Sequence, residues 1–155
     1  MEGFACSTLD APWSIGVERM VRDDLPKALV DPGAPGALPI TASGLLVARK
    51  LVAVTAWKPE RDPAVLHRFG PHVWLNIVLA THVDCWRHGY GRRLKGIVMQ
   101  EAREAGVVAV TSVVDWRNSA MRALNRQLGG VEEPIITDVE PDPDFCRCIL
   151  PIKPV

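Results

Sequence analysis

Residues 79–95 read LATHVDCWRHGYGRRLK and connect an apolar run to an amphipathic one. The apolar run, Val73–Ala80, is nearly continuous, which predicts a central strand buried on both faces. From Tyr90 to Ala105 hydrophobic residues recur at helical spacing, interrupted by Glu101, and Gly106 follows where a helix commonly ends. The stretch therefore predicts a strand, a glycine turn and a helix in immediate succession.

The turn at residues 88–93, HGYGRR, has the composition of an anion-binding site. Backbone N–H groups at a helix start have no intrahelical partner and carry the positive end of the macrodipole. The two glycines allow a ligand to approach the main chain closely. Arg87, Arg92, Arg93 and Lys95 add charge-assisted donors. We therefore expect a pyrophosphate to bind at this turn.

Composition restricts the class of protein. A chain of 155 residues with 48% hydrophobic and 23% charged residues has the balance of one globular domain. Eighteen basic residues against 18 acidic ones give no broad basic field for nucleic acid or for an anionic membrane surface. The four cysteines form no CxxC pair, and no apolar run approaches the length of a membrane span. We expect a cytoplasmic protein with reduced thiols that binds neither nucleic acid nor membrane.

The first part of the chain divides into an arm and the start of a domain. We expect residues 1–14 to form an N-terminal arm and residues 15–155 to form a single domain. Ile15–Val21 alternates like a short strand, and Asp23-Asp24-Leu25-Pro26 starts a helix that reaches about Val30. The segment from Asp31 to Ser43 is rich in proline and glycine and predicts a loop.

The remaining patterns alternate between strand and helix, so that the whole order β-α-β-β-β-α-β-α-β-β predicts a mixed α/β sheet. The polar connection between residues 57 and 73 contains proline and is expected to be a loop. The predicted elements other than those around the glycine turn are a hairpin of Leu45–Ala48 and Leu51–Trp57, a strand Val107–Val114, a helix Asn118–Leu128, and strands Val131–Thr137 and Phe145–Ile152 joined by the acidic loop Asp138–Asp144.

Other ligand motifs do not match the chain. A dinucleotide GxGxxG motif would need glycine at position 94, which is Leu94, and the P-loop pattern GxxxxGK[ST] does not occur. His82, Cys85 and His88 have an HxxCxxH spacing, but the turn offers no fourth ligand and no paired spacing of a structural zinc site. Pairing of Cys85 with a histidine as a nucleophile is an equally weak alternative. We therefore expect no metal site.

The segment Trp86-Arg87-His88-Gly89-Tyr90-Gly91-Arg92 resembles the [QR]xxGxG[AG] motif of the GNAT superfamily of acyl-CoA N-acyltransferases. Trp86 departs from the usual Gln or Arg, and Arg92 from the usual small residue. Val17–Pro26 resembles the opening strand and helix cap of the family, and Asn118–Gly129 resembles its second cofactor helix. The resemblance implies the acyl-CoA N-acyltransferase fold, with a central mixed, mostly antiparallel sheet of about six or seven strands flanked by helices and a shortened first helical region.

The resemblance also implies a function. It implies an acetyl-CoA-dependent N-acetyltransferase, in which an amine attacks the thioester directly in a ternary complex. The splayed fourth strand of the family offers main-chain groups to pantetheine, the glycine turn holds the pyrophosphate, and an asparagine of the later helix touches the cofactor. The cofactor-binding residues implied in this chain are Leu79, Ala80, Thr81, Arg87, His88, Gly89, Tyr90, Gly91, Arg92, Asn118 and Asn125.

The catalytic acid and base stay unassigned. The pattern NxxAxxxYxxLGF usual for the later helix has Asn125 at its tyrosine position and Gly130 at its final phenylalanine position. Asparagine cannot protonate a leaving thiolate, although a thiolate is a tolerable leaving group without an acid. Tyr90, the one tyrosine of the chain, is a weak replacement. The acidic and basic residues considered as the base, none with a sequence signature, are Glu60, His72, Asp84 and Asp115.

These departures leave one alternative function open, a noncatalytic acyl-CoA-binding or scaffolding domain. Release of free thiol on addition of an acceptor would distinguish an enzyme from such a domain.

For the enzyme, the expected acceptor is a small-molecule or peptide amine. The acidic loop could gather a cationic amine, and Trp57 and Trp116 could line its pocket. The short first helical region predicts a cleft that is open or completed by a homodimer.

Overall fold

The computed structural model describes residues 41–47, 50–81 and 87–154. Within these residues no helix has both the length and the hydrophobicity needed to cross a membrane. The predictions for the arm, the first strand and the first helix fall outside the described residues. The described elements are β1 (Thr41–Val47), β2 (Lys50–Pro59), α1 (Pro63–Phe69), β3 (Val73–Thr81), α2 (Tyr90–Glu104), β4 (Ala109–Asp115), α3 (Ser119–Gln127), β5 (Val131–Thr137) and β6 (Glu140–Pro151).

The six strands form one sheet in the order β1-β2-β3-β4-β6-β5. β1 and β2 are antiparallel, as are β4 and β6 and also β5 and β6. β3 and β4 are parallel, with a register that joins Val73 to Ala109 and continues to Leu75 and Thr111. Antiparallel pairs thus outnumber the parallel pair, and the predicted mixed, mostly antiparallel α/β architecture is confirmed.

The described residues divide into two compact units. The first consists of β1, β2, residues 76–81 of β3 and residues 87–98, which include the start of α2. Its core is formed by Leu45, Val52, Ala53 and Leu94, all buried, with Tyr90 packed against them. This unit therefore contains the predicted strand end, the glycine turn and the helix start.

The second unit consists of residues 60–75 and 99–154. Its buried cluster comprises Val65, Val73, Ala109 and Ile149, which come from α1, β3, β4 and β6. The α1 residues thus pack on strands that are distant in sequence, and hydrophobic burial holds this short helix in place.

Helix α1 corrects the prediction of a loop between residues 57 and 73. Asp62 is its N-cap and accepts a hydrogen bond from Ala64 N at 2.9 Å, and Pro63 occupies the first turn. Ion pairs of Arg68 with Glu133 at 2.8 Å and of Arg147 with Asp62 tie the helix to β5 and β6. An Asp-Pro pair before an apolar run is a helix start, and that signal is present in the sequence.

The hairpin of β5 and β6 corrects the predicted acidic loop Asp138–Asp144. β5 has the predicted bounds, but β6 begins at Glu140, so most of the acidic segment is strand. Thr137 pairs with Glu140, and Asp138 takes a left-handed φ of 54° in the turn between them. An Asp tolerates this conformation, which permits a tight turn where the prolines had indicated a long one.

Helix α2 has nearly its predicted bounds, but its buried face is different. The fully buried residues on it are Leu94, Lys95, Val98 and Ala102, whereas Glu101 is exposed. Glu101 therefore lies outside the buried face of the helix and does not interrupt it, whereas Lys95 is part of that face.

Candidate cofactor site

The glycine turn is held in an unusual backbone conformation. Gly89 has a φ of 76°, which glycine adopts without steric penalty. Arg87 has a φ of 66°, in the left-handed region that residues with a Cβ rarely adopt. Such a conformation costs on the order of 1 kcal/mol and persists only where its surroundings hold it. The turn is therefore built for a backbone shape rather than for local stability, as is common at binding sites.

The start of α2 directs main-chain donors away from the helix. The first intrahelical hydrogen bond runs from Arg93 N to Gly89 O at 3.0 Å, so the N–H groups of the residues between them have no partner within the helix. The first turn contains no acidic residue, and Arg87, Arg92 and Arg93 are exposed around it. The main-chain N–H groups and the positive dipole of a helix start, together with arginine side chains, suit a phosphate or pyrophosphate.

The predicted residues of β3 lie beside this turn. A Cβ added to Gly91 would be 3.7 Å from Thr81 Oγ1 and 4.0 Å from Leu79 Cδ2. Leu79, Ala80 and Thr81 are all half-buried at the end of the strand. The structure thus brings together the predicted strand residues and the second glycine of the turn within the first unit.

Aromatic packing anchors the turn. Tyr90 is half-buried against the core cluster of the first unit. The His88 ring stacks on the Tyr90 ring, with centroids 5.5 Å apart and an interplanar angle of 12°. Tyr90 is thus occupied in packing, which is a structural role rather than that of an acid.

Lys95 has a different position from the one its sequence neighbours indicate. It is 1% exposed, and its Nζ donates to Asn76 Oδ1 at 2.7 Å, so it is not a surface donor beside the turn. Asn76 in turn donates to Thr55 Oγ1 at 2.9 Å and to Ala56 O at 2.8 Å. The sequence signal for this network is the single polar residue, Asn76, within the apolar run of β3. The network connects α2, β2 and β3 through buried polar groups.

Helix α3, in the second unit, carries the other two predicted cofactor residues. Asn118 is exposed and is the N-cap, because its Oδ1 accepts a hydrogen bond from Met121 N at 3.1 Å. Asn125 is 0% exposed, and its Nδ2 and Oδ1 have no hydrogen-bond partner among the described residues. A buried amide without partners typically costs about 1–3 kcal/mol, so Asn125 is the polar group of this unit that most needs a ligand.

Gly130 explains why the phenylalanine of the family pattern is missing. A Cβ added there would lie 2.8 Å from Asn125 O and 2.8 Å from Cys148 Sγ, and 3.1 Å from Leu150 Cδ2. Real Cβ atoms do not approach other atoms so closely. The space beside α3 is thus filled by β6, and position 130 admits no side chain.

The residues considered as catalytic bases differ in their surroundings. Glu60 is buried, and its carboxylate accepts hydrogen bonds from Arg61 N, Asp62 N and Thr111 Oγ1, the last at 2.5 Å. This arrangement fits a structural role at the end of β2. His72 is exposed, and Asp84 falls outside the described residues.

Asp115 is paired with Arg117. Arg117 donates from its backbone N and from two guanidinium nitrogens, the closest at 2.7 Å. These hydrogen bonds lower the pKa of Asp115 from 3.8 to about 2. A carboxylate of such low pKa is a poor proton acceptor at neutral pH.

We expect Asp115 to titrate with a midpoint of about 2, and Arg117→Ala to return the midpoint toward 3.8. Because the folded pKa is lowered, the pair stabilises the fold above about pH 4, and this contribution is lost as the pH falls toward 2. NMR titration of the side-chain carboxyl carbon measures both midpoints. Equal midpoints in the two proteins would show that the ion pair does not persist in solution.

The side chains weighed as metal ligands are described only in part. The described residues contain no group of three His, Cys, Asp or Glu side chains that could hold a metal ion, and His82 and Cys85 lie outside them. Cys146 is buried, and its burial raises the pKa of the thiol.

The two tryptophans considered for the acceptor pocket are both engaged in packing. The Arg122 guanidinium lies over the Trp116 ring, 4.9 Å from the ring centroid, and Trp57 is buried.

Comparisons with known proteins identify the fold of this chain. No protein-family model matches the chain, and no curated protein matches its sequence. A solved structure from Desulfovibrio desulfuricans, assigned to the GNAT family of acetyltransferases, covers 91% of this chain and 84% of its own at 12% identity, with a TM-score of 0.71. The chain has the GNAT fold.

Two further structures with the GNAT fold are similar to this chain. The ribosomal-protein-S18-alanine N-acetyltransferase of Escherichia coli is 21% identical, with a TM-score of 0.60, and covers 94% of this chain and 81% of its own. An acetyltransferase of Bacillus subtilis in complex with CoA is 15% identical, with a TM-score of 0.59, and covers 84% of this chain and 86% of its own. The resemblance found in residues 86–92 therefore identified the GNAT fold correctly.

Proposed function

We propose that the protein is an acetyl-CoA-dependent N-acetyltransferase. The observation that carries this proposal is the succession of strand, strained glycine turn and helix start, with Gly91 beside Thr81 and three exposed arginines around the turn. The turn suits a pyrophosphate, and the fold is shared with acetyltransferases, one of which was solved with CoA. Both features point to an acyl-CoA rather than to another phosphate ester.

Each part of the proposed site has a separate task. The pyrophosphate binds the main chain between Arg87 and Arg92, with the arginine side chains as additional donors. The main-chain groups of Leu79, Ala80 and Thr81 bind the pantetheine arm. The family resemblance also implies cofactor contacts for Asn118 and Asn125, which belong to the second unit.

Bound acetyl-CoA supplies a thioester carbonyl, which an uncharged amine attacks directly to give the amide and the free thiol of CoA. Main-chain N–H groups of β3 stabilise the negative charge that develops on the carbonyl oxygen. Asn125 is a hydrogen-bond donor and not an acid, which a thiolate of reference pKa near 8.5 tolerates. The nitrogen loses its proton to solvent in this proposal, and Glu60 and Asp115 are not assigned as the base because they are occupied by other hydrogen bonds.

The acceptor is an amine, and a cationic polypeptide or small-molecule amine fits best. Asp138, Glu140 and Asp144 are exposed on the β5–β6 hairpin, next to Val139, which is 89% exposed. Such carboxylates attract a cationic acceptor over several ångströms. Two structural neighbours are named ribosomal-protein alanine N-acetyltransferases, so a protein N-terminus is the first acceptor class to test. A homodimer would complete the acceptor cleft.

A noncatalytic acyl-CoA-binding domain is the second candidate. Asn125 at the position of the family's tyrosine favours it, because no described residue supplies an acid in its place. Both candidates predict CoA binding, and release of free thiol on addition of an amine is expected of the enzyme alone.

The proposal is tested with two alanine variants of one helix. Gly91→Ala is expected to weaken acetyl-CoA binding at least about tenfold, because the methyl group occupies the side of the turn that Thr81 lines. Gly96→Ala is the matched control: nothing lies within 4 Å of its added Cβ, so it should stabilise the helix by about 1 kcal/mol and leave affinity unchanged.

Calorimetric titration of acetyl-CoA, CoA and NADH into the three proteins measures these affinities. We expect the CoA species to bind the wild type and NADH not to bind. No CoA binding at millimolar concentration would contradict both candidate functions. Binding to Gly91→Ala that equals wild-type binding would place the cofactor elsewhere.

A further inference from the structure

The glycine turn carries an exposed aromatic ring in a fixed orientation. His88 is exposed, yet its ring lies nearly parallel to Tyr90, with an interplanar angle of 12°. Tyr90 is fixed by its packing against buried Leu45, Val52 and Leu94. The histidine ring is therefore held by a residue that belongs to the core, although it lies at the surface itself.

Three arginines lie close to this ring in the sequence. Arg87 precedes His88 directly, and Arg92 and Arg93 follow within the first turn of α2, all of them exposed. An exposed flat ring on a turn that also carries three exposed arginines suits a ligand that joins a flat heterocycle to several phosphates. A purine nucleotide with more than one phosphate has this composition.

We propose that His88 is the stacking surface for the adenine of the acyl-CoA, and that the adjacent arginines bind the phosphates of its nucleotide. This inference rests on the proposed function and assigns the nucleotide end of the ligand. His88 directly precedes Gly89, whose turn is proposed to bind the pyrophosphate, and the ribose alone separates the pyrophosphate from the base. His88 is thus adjacent in the chain to the proposed pyrophosphate site, and the adenine is one ribose away from the pyrophosphate in the ligand.

The stacked pair gives selectivity as well as affinity. A ring that is already held in place loses little side-chain entropy when a base stacks on it, so more of the stacking energy contributes to affinity. Ligands that lack the nucleotide lose this contact but keep those of pantetheine with β3. The turn should therefore distinguish CoA from shorter pantetheine thioesters through His88.

A cycle of protein and ligand changes tests the stacking. CoA and 4′-phosphopantetheine, which lacks the 3′-phosphoadenosine 5′-phosphate part of CoA, are titrated into four proteins. These are the wild type, His88→Ala, His88→Phe and the control His67→Ala, a change of an exposed histidine on α1. We expect His88→Ala to weaken CoA binding about tenfold and to leave phosphopantetheine binding unchanged. His88→Phe keeps a ring and should restore CoA binding, and His67→Ala should have no effect.

Two results would overturn the assignment while the proposed function stands. Equal weakening of CoA and phosphopantetheine in His88→Ala would show that the histidine only shapes the turn. Unchanged CoA affinity in the same variant would show that the adenine binds elsewhere. Absence of CoA binding to the wild type would instead contradict the proposed function itself.

Discussion

Replacing Asn76 by alanine is expected to lower the free energy of unfolding by about 3 kcal/mol. The change removes the acceptor at 2.7 Å from the buried Lys95 ammonium. It also removes the donor to Thr55 Oγ1 and to Ala56 O. Hydrogen bonds to charged groups contribute about 1.5–3 kcal/mol, and a buried ammonium that loses an acceptor keeps its desolvation penalty. Denaturation in urea, followed by tryptophan fluorescence, measures the difference.

Lys95→Met separates the charge from the rest of the network. Methionine keeps most of the apolar stem and removes the charge that must be buried, so we expect a loss of about 1–2 kcal/mol, smaller than for Asn76→Ala. Gln100→Ala, on the exposed face of the same helix, should change stability by less than about 0.5 kcal/mol. A loss for Lys95→Met that equals or exceeds that of Asn76→Ala would show that the ammonium itself provides the stabilisation.

Replacing Asn125 by leucine is expected to make the protein more stable and less functional. Leucine has a similar volume and no polar atoms, so the substitution removes two buried groups that lack hydrogen-bond partners among the described residues. We expect a gain of about 2 kcal/mol in the free energy of unfolding without ligand. If the amide serves the acyl-CoA, affinity or turnover should fall at least about tenfold in the same variant.

Asn125→Asp is the contrasting variant. A carboxylate at a fully buried position without a described partner should destabilise the protein by several kcal/mol and shift its own titration upward. Thermal unfolding with and without CoA, together with thiol release, measures both effects. If Asn125→Leu is less stable than the wild type, the amide has a partner in the free protein; if it is stable and fully active, the amide does not serve the ligand.

Local sequence patterns predicted most elements because their signals are strong. β5 has the predicted bounds, and the glycine after α2 takes the left-handed φ of 74° expected of a helix end. Helix α1 was missed because its seven residues are too few to show a helical period, and its Asp62-Pro63 start is also typical of a turn. Its stability comes from packing on distant strands, which local patterns do not contain.

The cofactor-binding role of the predicted site residues stays a prediction, although the structure does place Gly91 beside Leu79 and Thr81. Lys95 was expected at the surface because charged residues are rarely buried, whereas in the structure it is buried and donates a hydrogen bond to Asn76 of β3. The burial of the Asn125 amide without a partner among the described residues depends on how α3 packs on β6, which periodicity does not reveal.

Gly130 limits the order in which this sequence can change. Replacing Gly130 by phenylalanine cannot be accommodated merely by making a neighbouring side chain smaller. A new Cβ would meet two atoms at 2.8 Å, and one of them is the main-chain oxygen of Asn125. Any ancestor or engineered variant that carries a side chain at this position must have a differently shaped turn after the helix. Position 130 can therefore take a side chain only if the turn after the helix changes as well, whatever residue stands at position 125.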